Sequence, residues 1–357
     1  MNANLAAVLL WLTPLACAAQ GFAGLGTTAD GFTTPHPDTA LVFPRDHGAH
    51  PDFRIEWWYL TATLRGEDGQ DYGVQWTLFR SALRPETGAP LTGWDSPQIW
   101  MGHAALTSAR FHHVAERLAR GGIGQAGVTA TPFTAHIDDW TMASPDPEGI
   151  NRLHLSARGD AFAYDLTLDA QGPLVRHGAE GYSVKSPEGQ ASYYYSQPAY
   201  AVSGTITNDT GKVAVTGQGW LDREWSSQPL AAGQTGWDWF SLGFDSGGKL
   251  MAFRLRDGKG GFTSATWIAP DGHATPYGDG AVTVVPLDTS AVAGRTIPTR
   301  WQLTMPAREL DVTVTALNPQ AWMDTSFAYW EGPVRVSGSD SGRGYLEMTG
   351  YEQNTTE

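Results

Sequence analysis

The chain has 357 residues and a formal net charge of −14. This length is sufficient for two domains that each bury a core of their own. The 42 glycines and 22 prolines argue against long uninterrupted helices. A strongly acidic chain lacks the basic patches that bind nucleic acid or anionic lipid headgroups, so we expect no nucleic-acid partner.

The first 19 residues have the features of an export signal. An apolar stretch runs from Leu5 to Leu12, and Pro14 and a tail of small residues precede Gln20. Because this stretch is shorter than the roughly 20 residues of a membrane-spanning helix, we expect a cleaved signal peptide over residues 1–19, no integral membrane span in the mature chain, and a periplasmic or secreted protein. Cys17 leaves a lipoprotein anchor as a less favoured alternative. Cleavage would remove the single cysteine, which excludes disulfides from the mature protein.

The next residues predict a flexible tether and then a series of short strands. Residues 20–40 are rich in glycine, threonine and proline without a period. From residue 55, alternating apolar residues and a glycine-containing turn predict a hairpin whose second strand covers 72–79. Further alternating runs predict strands over 153–157, 163–168, 201–206, 213–217, 239–244, 250–255, 281–286, 301–304 and 310–316. A helix is predicted only where Phe111, Val114 and Leu118 follow helical spacing before Gly121.

Two halves of the sequence resemble each other. Glu-Trp-Trp58-Tyr-Leu is echoed by Trp-Asp-Trp239-Phe-Ser, at an offset of 239 − 58 = 181, and Val202-Ser-Gly by Val336-Ser-Gly, at 336 − 202 = 134. The first repeat is therefore longer by 181 − 134 = 47 residues. Such self-similarity indicates an internal duplication, and many short antiparallel strands favour β-barrels. We predict an all-β chain of two tandem antiparallel barrels, over residues 41–221 and 222–353.

The segment at the predicted boundary contains carboxylates beside tryptophans. In a strand, one face would present Trp220, Asp222 and Glu224, and the other Leu221, Arg223 and Trp225. A carboxyl group beside an indole is partly desolvated, which raises its pKa and makes it a potential proton donor. A structural alternative is an Asp–Arg or Glu–Arg ion pair that pins a strand between the domains. Both interpretations stay open at this point.

A second polar cluster lies in the segment that contains Asp46, His47, His50 and Asp52. Two imidazoles and a carboxylate form a known zinc-binding set, but the spacing fits no named motif. We therefore favour a hydrogen-bonded loop and expect no metal and no cofactor.

Three other polar residues are candidates for ligand contacts. His103 lies in an apolar strand, where it is either a hydrogen-bonded core residue or a polar group in a cavity. Tyr193 and Tyr195 would share one strand face and could offer ring faces to a cation or hydroxyls to a water. Packing at the rim of a barrel is the alternative for both tyrosines.

Several longer motifs resemble one known family. They are the segments 43–50 (FPRDHGAH), 56–61 (EWWYLT), 72–80 (YGVQWTLFR), 222–225 (DREW), 236–240 (GWDWF) and 344–351 (GYLEMTGY). Together they resemble the AttH-like/carotenoid 1,2-hydratase (CrtC-like) family over roughly residues 21–351. The resemblance implies two lipocalin-like β-barrels in tandem and, in functional members, cofactor-free addition of water to a terminal isoprenoid double bond. Related fungal members act as pericyclases or cyclases.

The resemblance also implies a site. The proposed proton donor of the hydratases lies in an aromatic-x-Asp segment, which here is Trp220-Leu221-Asp222. We accordingly expect an exported, cofactor-free enzyme with hydratase- or isomerase-type acid chemistry on an apolar, isoprenoid-like molecule, with Asp222 as the catalytic acid. The residues that we expect to bind the substrate are Trp220, Tyr193, Tyr195, His103, Trp225 and Trp237. The alternative is a non-catalytic carrier that holds a hydrophobic ligand in a lipocalin-style barrel.

Overall fold

The computed structural model describes residues 29–86, 91, 93–228, 230, 233–258 and 260–351. The predicted signal peptide, its cleavage site and Cys17 lie outside the described residues. In the described ranges, no helix is both long and apolar enough to cross a membrane. The predicted tether is described from residue 29, and there Thr33 and His36 are hydrogen-bonded to the first sheet or its adjoining loop.

The predicted all-β architecture is confirmed, and the strands form two antiparallel sheets, each curved into a barrel or half-barrel. The first sheet contains β1 Ile55–Gly66, β2 Asp71–Ala82, β3 Gln98–Ser108, β4 His112–Arg120, β5 Ala126–Ala130, β6 Phe133–Ile137, β7 Trp140–Ala143, β8 Arg152–Arg158, β9 Ala163–Ala170, β10 Val175–Arg176, β11 Tyr182–Val184, β12 Ala191–Asn208 and β13 Gly211–Ser226. Its order is β4-β3-β2-β1-β13-β12-β9-β8-β7-β6-β5, and β10 and β11 pair with β12.

The second sheet follows along the chain. It contains β14 Gln234–Phe244, β15 Lys249–Asp257, β16 Phe262–Ile268, β17 Ala274–Tyr277, β18 Thr283–Val292, β19 Arg295–Met305, β20 Leu310–Ala316, β21 Trp322–Met323, β22 Tyr329–Gly338 and β23 Gly342–Met348. Its order is β17-β16-β15-β14-β23-β22-β20-β19-β18, and β21 pairs with β22. Short 3-10 helices in the described chain cover Arg45–His47, Gly93–Asp95 and Pro306–Arg308.

The duplication is visible in the strand order. The run β3-β2-β1-β13-β12 of the first sheet corresponds to β16-β15-β14-β23-β22 of the second. In the first sheet Tyr59 pairs with Asp222, and in the second Trp239 pairs with Glu347. The offset along the opening strand is therefore 239 − 59 = 180, so the predicted match of Trp58 with Trp239 is wrong by one residue. In a strand one residue reverses the face, and Trp58 lies in the first core whereas Trp239 faces the other sheet.

The second echo is in register. Val202 pairs with Gly217 and Val336 with Gly342 at corresponding points of the two sheets. The glycine that follows each Val-Ser has a positive φ, +151° at Gly204 and +138° at Gly338. A Cβ there would lie 2.2 or 2.5 Å from a carbonyl oxygen of the neighbouring strand. Glycine is therefore required at both positions by the same close approach of two strands.

The predicted helix over 111–118 is wrong. These residues belong largely to β4, which pairs with β3 along its whole length. Only Phe111 lies before the strand, where Ser108 Oγ accepts the backbone N–H groups of Arg110 and Phe111 in the turn between the strands. The apolar spacing that resembled a helix is thus spread over a turn and an outer strand, because hairpin pairing dominates over local periodicity.

The predicted domain boundary falls inside β13. That strand pairs with β1 as far as Ser226, so the change of sheet comes between Ser226 and Gln234. Each sheet covers a core of its own. Fully buried tryptophans fill both, with Trp58, Trp76, Trp140 and Trp225 in the first and Trp301 and Trp330 in the second.

Candidate active site between the two sheets

The central strand β13 presents two chemically different faces, as its alternation predicts. Leu221 and Trp225 point into the first core. On the opposite face, Trp220 packs with residues of the second sheet, and Asp222 and Glu224 line a cavity between the sheets. Strand alternation thus directs both carboxyl groups out of the first core and toward the second domain.

The cavity has a volume of about 110 Å³. That is several times the ~10–15 Å³ that one water requires. Most of its wall is apolar, and the aromatic side chains that line it are Trp57, Tyr59, Phe79, Tyr194, Trp237, Trp239 and Phe253. Carboxyl groups enter it from both sheets, Asp222 and Glu224 from β13 and Glu347 from β23. An apolar molecule in this space would contact aromatic faces and a few acids.

Asp222 is only 2% exposed and has no arginine partner among the described residues. Trp220 Nε1 donates to its Oδ1 at 2.8 Å, and Ser196 Oγ donates to the same oxygen. Burial raises the pKa of Asp222 to about 7 and Glu224 adds to the rise, although both hydrogen bonds oppose it. The ion-pair alternative is wrong for Asp222, because Arg223 points to the opposite face and binds Glu56.

A chain of hydrogen-bonded side chains runs from Asp222 to the second sheet. Ser196 Oγ lies 2.6 Å from His177 Nε2, and His177 Nδ1 lies 2.9 Å from Thr266 Oγ1 of the second sheet. His177 is fully buried and stacks on Tyr194 at 4.0 Å between centroids. Burial lowers its pKa well below the ordinary value, and Lys185 adds to this. The neutral imidazole of His177 therefore holds the hydroxyl group of Ser196 in place, and that hydroxyl group orients the carboxyl group of Asp222.

The second carboxyl group of β13 has a different environment. Lys185 Nζ lies 2.9 Å from Glu224 Oε1, and Ser192 Oγ also donates to that oxygen. The same ammonium lies over the rings of Tyr194 and Phe253, at 4.4 and 5.0 Å from their centroids. Glu224 is therefore charge-paired, in contrast to Asp222.

Glu347 brings a carboxyl group to the cavity from the second sheet. Trp237 Nε1 donates to its Oε1 at 2.7 Å, which gives the predicted substrate-binding residue Trp237 a direct place in the site. Burial raises the pKa of Glu347 to about 7, and Asp222 and Glu224 add to the rise although the indole N–H opposes it.

His103 does not line the cavity but belongs to a buried network beside it. Its Nδ1 lies 3.0 Å from Tyr329 Oη and its Nε2 3.1 Å from Glu116 Oε1. Tyr59, which does line the cavity, donates from Oη to Glu331 Oε1 at 2.5 Å. Burial raises the pKa of Glu331 well above its ordinary value, and Glu347 adds to the rise. Of its two predicted roles, His103 takes that of a hydrogen-bonded core residue.

Three of the predicted substrate-binding residues face the first core instead of the cavity, namely Tyr193, Tyr195 and Trp225. Tyr195 pairs with Arg223 in register, and its Oη is 2.6 Å from His47 Nδ1 inside the first domain. Tyr193 Oη accepts the backbone N–H of His36, and its ring packs against Trp225 in the first core. The tyrosine between them, Tyr194, lines the cavity and accepts Trp239 Nε1 at 3.1 Å. The correction follows from the period of two, which places alternate tyrosines on opposite faces.

The loop that resembled a metal site is a hydrogen-bonded structural element. His50 stacks on Trp225 at 4.0 Å, and its Nδ1 lies 3.1 Å from Glu56 Oε2. Glu56 in turn binds the buried guanidinium groups of Arg80 and Arg223. In the part of the chain that the structure describes, no group of three or more His, Cys, Asp or Glu side chains is arranged to hold a metal ion.

The sequence model of the AttH-like family matches residues 34–351. The chain belongs to the AttH-like family. A crystal structure of a protein from Nitrosomonas europaea assigned as an AttH is 34% identical and covers 90% of this chain and 100% of its own, with a TM-score of 0.80. A search of curated proteins gave no match.

Two other solved structures share the fold of this AttH-like chain at lower identity. Kievitone hydratase from Nectria haematococca is 16% identical, covers 91% of this chain and 97% of its own, and has a TM-score of 0.67. CghA is 12% identical, covers 92% and 98%, and has a TM-score of 0.51. Identities of this size show the common fold and leave activity to be argued from the site.

Sequence reasoning missed Tyr194, His177 and Glu347 in this AttH-like site. A signal for the last was present, because the segment Trp220-Leu-Asp222 recurs as Tyr345-Leu-Glu347 at an offset of 347 − 222 = 125. His177 has no comparable signal, since it comes from a short irregular segment beside β10.

Proposed function

We propose that this chain is a cofactor-free enzyme that performs acid chemistry, hydration or isomerisation, on an apolar isoprenoid-like small molecule. The observation that carries the proposal is Asp222, a buried carboxyl group without a cationic partner among the described residues, with a pKa of about 7, on the wall of an aromatic cavity. The buried carboxylate of Glu56, by contrast, is paired with Arg80 and Arg223. The hydratase name of one structural relative is consistent with this reaction class.

The reaction that these groups support begins with proton transfer. The Asp222 carboxyl O–H would give its proton to one carbon of a double bond, and the other carbon would become a tertiary cation. Aromatic faces such as those of Trp57 and Trp239 stabilise a cation electrostatically in a site that excludes bulk water. A water oxygen then bonds to the cation and releases a proton. In isomerisation, loss of a proton from an adjacent carbon replaces the addition of water.

A direct assay uses geraniol and squalene, a short and a long molecule with terminal trisubstituted double bonds. Each is incubated with the protein, and the product is analysed for the mass of one added water and, in heavy water, for deuterium bound to carbon. We expect Asp222→Asn to lower kcat by roughly 10²–10⁴, the usual contribution of a general acid. Asp169→Asn, which changes an exposed carboxylate paired with Arg152, is the matched control.

The competing function is a carrier. If the wild-type protein and Asp222→Asn bind both probes equally and return them unchanged, the enzymatic proposal is wrong and the carrier is favoured. Conversion of the probes by wild type and Asp222→Asn at equal rates would instead refute the role of Asp222 alone.

We also propose that the protein is exported, on the basis of its N-terminal apolar stretch and small-residue tail. Expression of the full chain followed by mass measurement of the periplasmic and secreted protein tests this. Loss of residues 1–19 is expected, and an intact amino terminus in the cytoplasm would contradict the proposal.

A further inference from the structure

The duplication places two carboxyl groups at corresponding points of the two sheets. Asp222 on β13 pairs with Tyr59 on β1, and Glu347 on β23 pairs with Trp239 on β14. Strand β13 corresponds to β23 and β1 to β14 in the two repeats. Asp222 therefore corresponds to Glu347 at an offset of 347 − 222 = 125, and Tyr59 to Trp239 at an offset of 239 − 59 = 180. Since the outward faces of β13 and β23 are turned toward the same cavity, equivalent residues of the two repeats meet there.

The local environments of the two carboxyl groups are also alike. Each follows an aromatic residue and a leucine, and each leucine, Leu221 or Leu346, is fully buried in its own core. Each carboxyl oxygen accepts one indole N–H, from Trp220 at 2.8 Å and from Trp237 at 2.7 Å. These contacts orient the carboxyl groups without supplying a full positive charge.

A purely structural carboxylate in the second sheet has different partners. Asp238 on β14 is fully buried and forms ion pairs with Arg254 and Arg256. Glu347 forms no ion pair with any residue that the structure describes. An unpaired buried charge is costly, so Glu347 is held differently from Asp238, and, unlike Glu331, it lines the cavity.

We propose that Glu347 is the second acid–base residue of the site and takes the proton of the water that adds to the cation. This inference rests on the proposed function. Asp222 transfers its proton to the double bond and becomes a carboxylate. The water oxygen bonds to the cationic carbon while its proton passes to the Glu347 carboxylate, which gives the alcohol. Return of that proton from Glu347 to Asp222 restores the starting state, so the net reaction is addition of one water.

Several ionisable groups lie around Glu347. Asp222 and Glu224 face Glu347 from β13, Glu331 lies opposite it on β22, and Lys185 lies at the cavity wall. Glu224 is paired with Lys185, whereas burial raises the pKa of Asp222 and that of Glu347 to about 7. We therefore expect the two groups to titrate as a coupled pair, and the mechanism requires Asp222 protonated and Glu347 ionised at the start.

The test combines a titration that needs no substrate with a rate measurement. Infrared difference spectra of the carboxyl C=O band follow protonation from pH 4 to pH 9 in wild type, Asp222→Asn and Glu347→Gln. We expect Glu347→Gln to lower the midpoint of the remaining band, because the neighbouring negative charge is lost. On geraniol and squalene we expect Glu347→Gln to lower kcat roughly 10²–10⁴-fold and to remove one limb of a bell-shaped pH profile. Glu347→Asp should restore part of the rate.

A matched control is Glu67→Gln, which changes an exposed glutamate at the turn after β1. It should retain the wild-type rate and titration. If Glu347→Gln keeps the wild-type kcat and profile while Asp222→Asn is inactive, the assignment of Glu347 is refuted and the proposed function stands. If the wild-type protein converts neither probe although its carboxyl groups titrate as a coupled pair, the proposed function is refuted instead. A titration of Asp222 that is unchanged by Glu347→Gln overturns the assignment in either case.

Discussion

The replacement Asp222→Asn should stabilise the protein at alkaline pH. Asparagine keeps a carbonyl oxygen for the hydrogen bonds from Trp220 and Ser196 but carries no charge. The pKa of Asp222 rises from 3.8 to about 7 on folding. Because the folded state binds the proton more tightly, the contribution of Asp222 to wild-type stability falls as the pH rises from about 4 to about 7 and changes little above that range.

The magnitude follows from the shift. Three units correspond to about 4 kcal/mol at 1.36 kcal/mol per unit, and about 3 kcal/mol of this lies between pH 5 and pH 8. Asp222→Asn removes this dependence, so the free energy of unfolding of the variant should rise relative to that of wild type by about 3 kcal/mol from pH 5 to pH 8. Urea denaturation followed by tryptophan fluorescence at pH 5, 6.5 and 8 measures the difference.

Asp71→Asn is a control of opposite sign. Burial alone would raise the pKa of Asp71, but hydrogen bonds from Arg65 and Arg335 lower it below its ordinary value. The ionised carboxylate of Asp71 therefore stabilises the fold above the ordinary carboxyl pKa, and this stabilisation is lost as the pH falls. Asp71→Asn should therefore lose stability relative to wild type at pH 8 and not at low pH. If Asp222→Asn differs from wild type by the same free energy at every pH, Asp222 has an ordinary pKa in the folded protein. Its role as a neutral acid would then have no physical basis.

Three further predictions concern single positions. Tyr194→Phe should lower kcat on geraniol and squalene because its hydroxyl lies at the cavity, whereas Tyr195→Phe should leave it unchanged; equal losses in steady-state assays would contradict the assigned faces. Glu56→Gln should cost about 3–5 kcal/mol in urea denaturation, since it leaves two buried guanidinium groups without their carboxylate, and a loss below about 1 kcal/mol would refute that pairing. Gly204→Ala and Gly338→Ala should each cost about 1–3 kcal/mol because of their positive φ; wild-type midpoints would show that the backbone there tolerates a side chain.

Most of the fold could be predicted from the sequence because strand alternation and turn residues are local signals. The hairpin that begins at residue 55 depends on pairing between neighbouring segments of the chain. The repeated motifs at Val202 and Val336 are recognisable because both include a glycine that the backbone requires. The error at Phe111 arose where a turn and a strand together imitated helical spacing. The one-residue error at Trp58 arose because adjacent tryptophans, Trp57 and Trp58, lie on opposite faces of β1, so residue type alone did not fix the register.

The site was predictable only in part. The positions of Asp222 and Trp237 could be predicted because each lies in a recognisable motif, on a strand whose alternation indicates its two faces. Tyr193 and Tyr195 were placed on the wrong side because the run of three tyrosines offers no internal sign of which face is inward. Only pairing with β13, where Tyr194 lies opposite Glu224, decides this. A cavity between two domains depends on contacts between distant segments, and local patterns do not record them.

The position of the cavity follows from how the two repeats are filled. A lipocalin-style carrier would require open space inside a barrel, but both cores contain fully buried tryptophans, such as Trp58 and Trp76 in one and Trp301 in the other. Space lined by apolar rings and acids is instead found where the outward faces of the two central strand pairs meet. A single repeat would expose Asp222 or Glu347 to water and leave its pKa near the ordinary value, because burial is what raises it. The duplication therefore supplies both carboxyl groups and the buried, largely apolar environment that the proposed acid and base require.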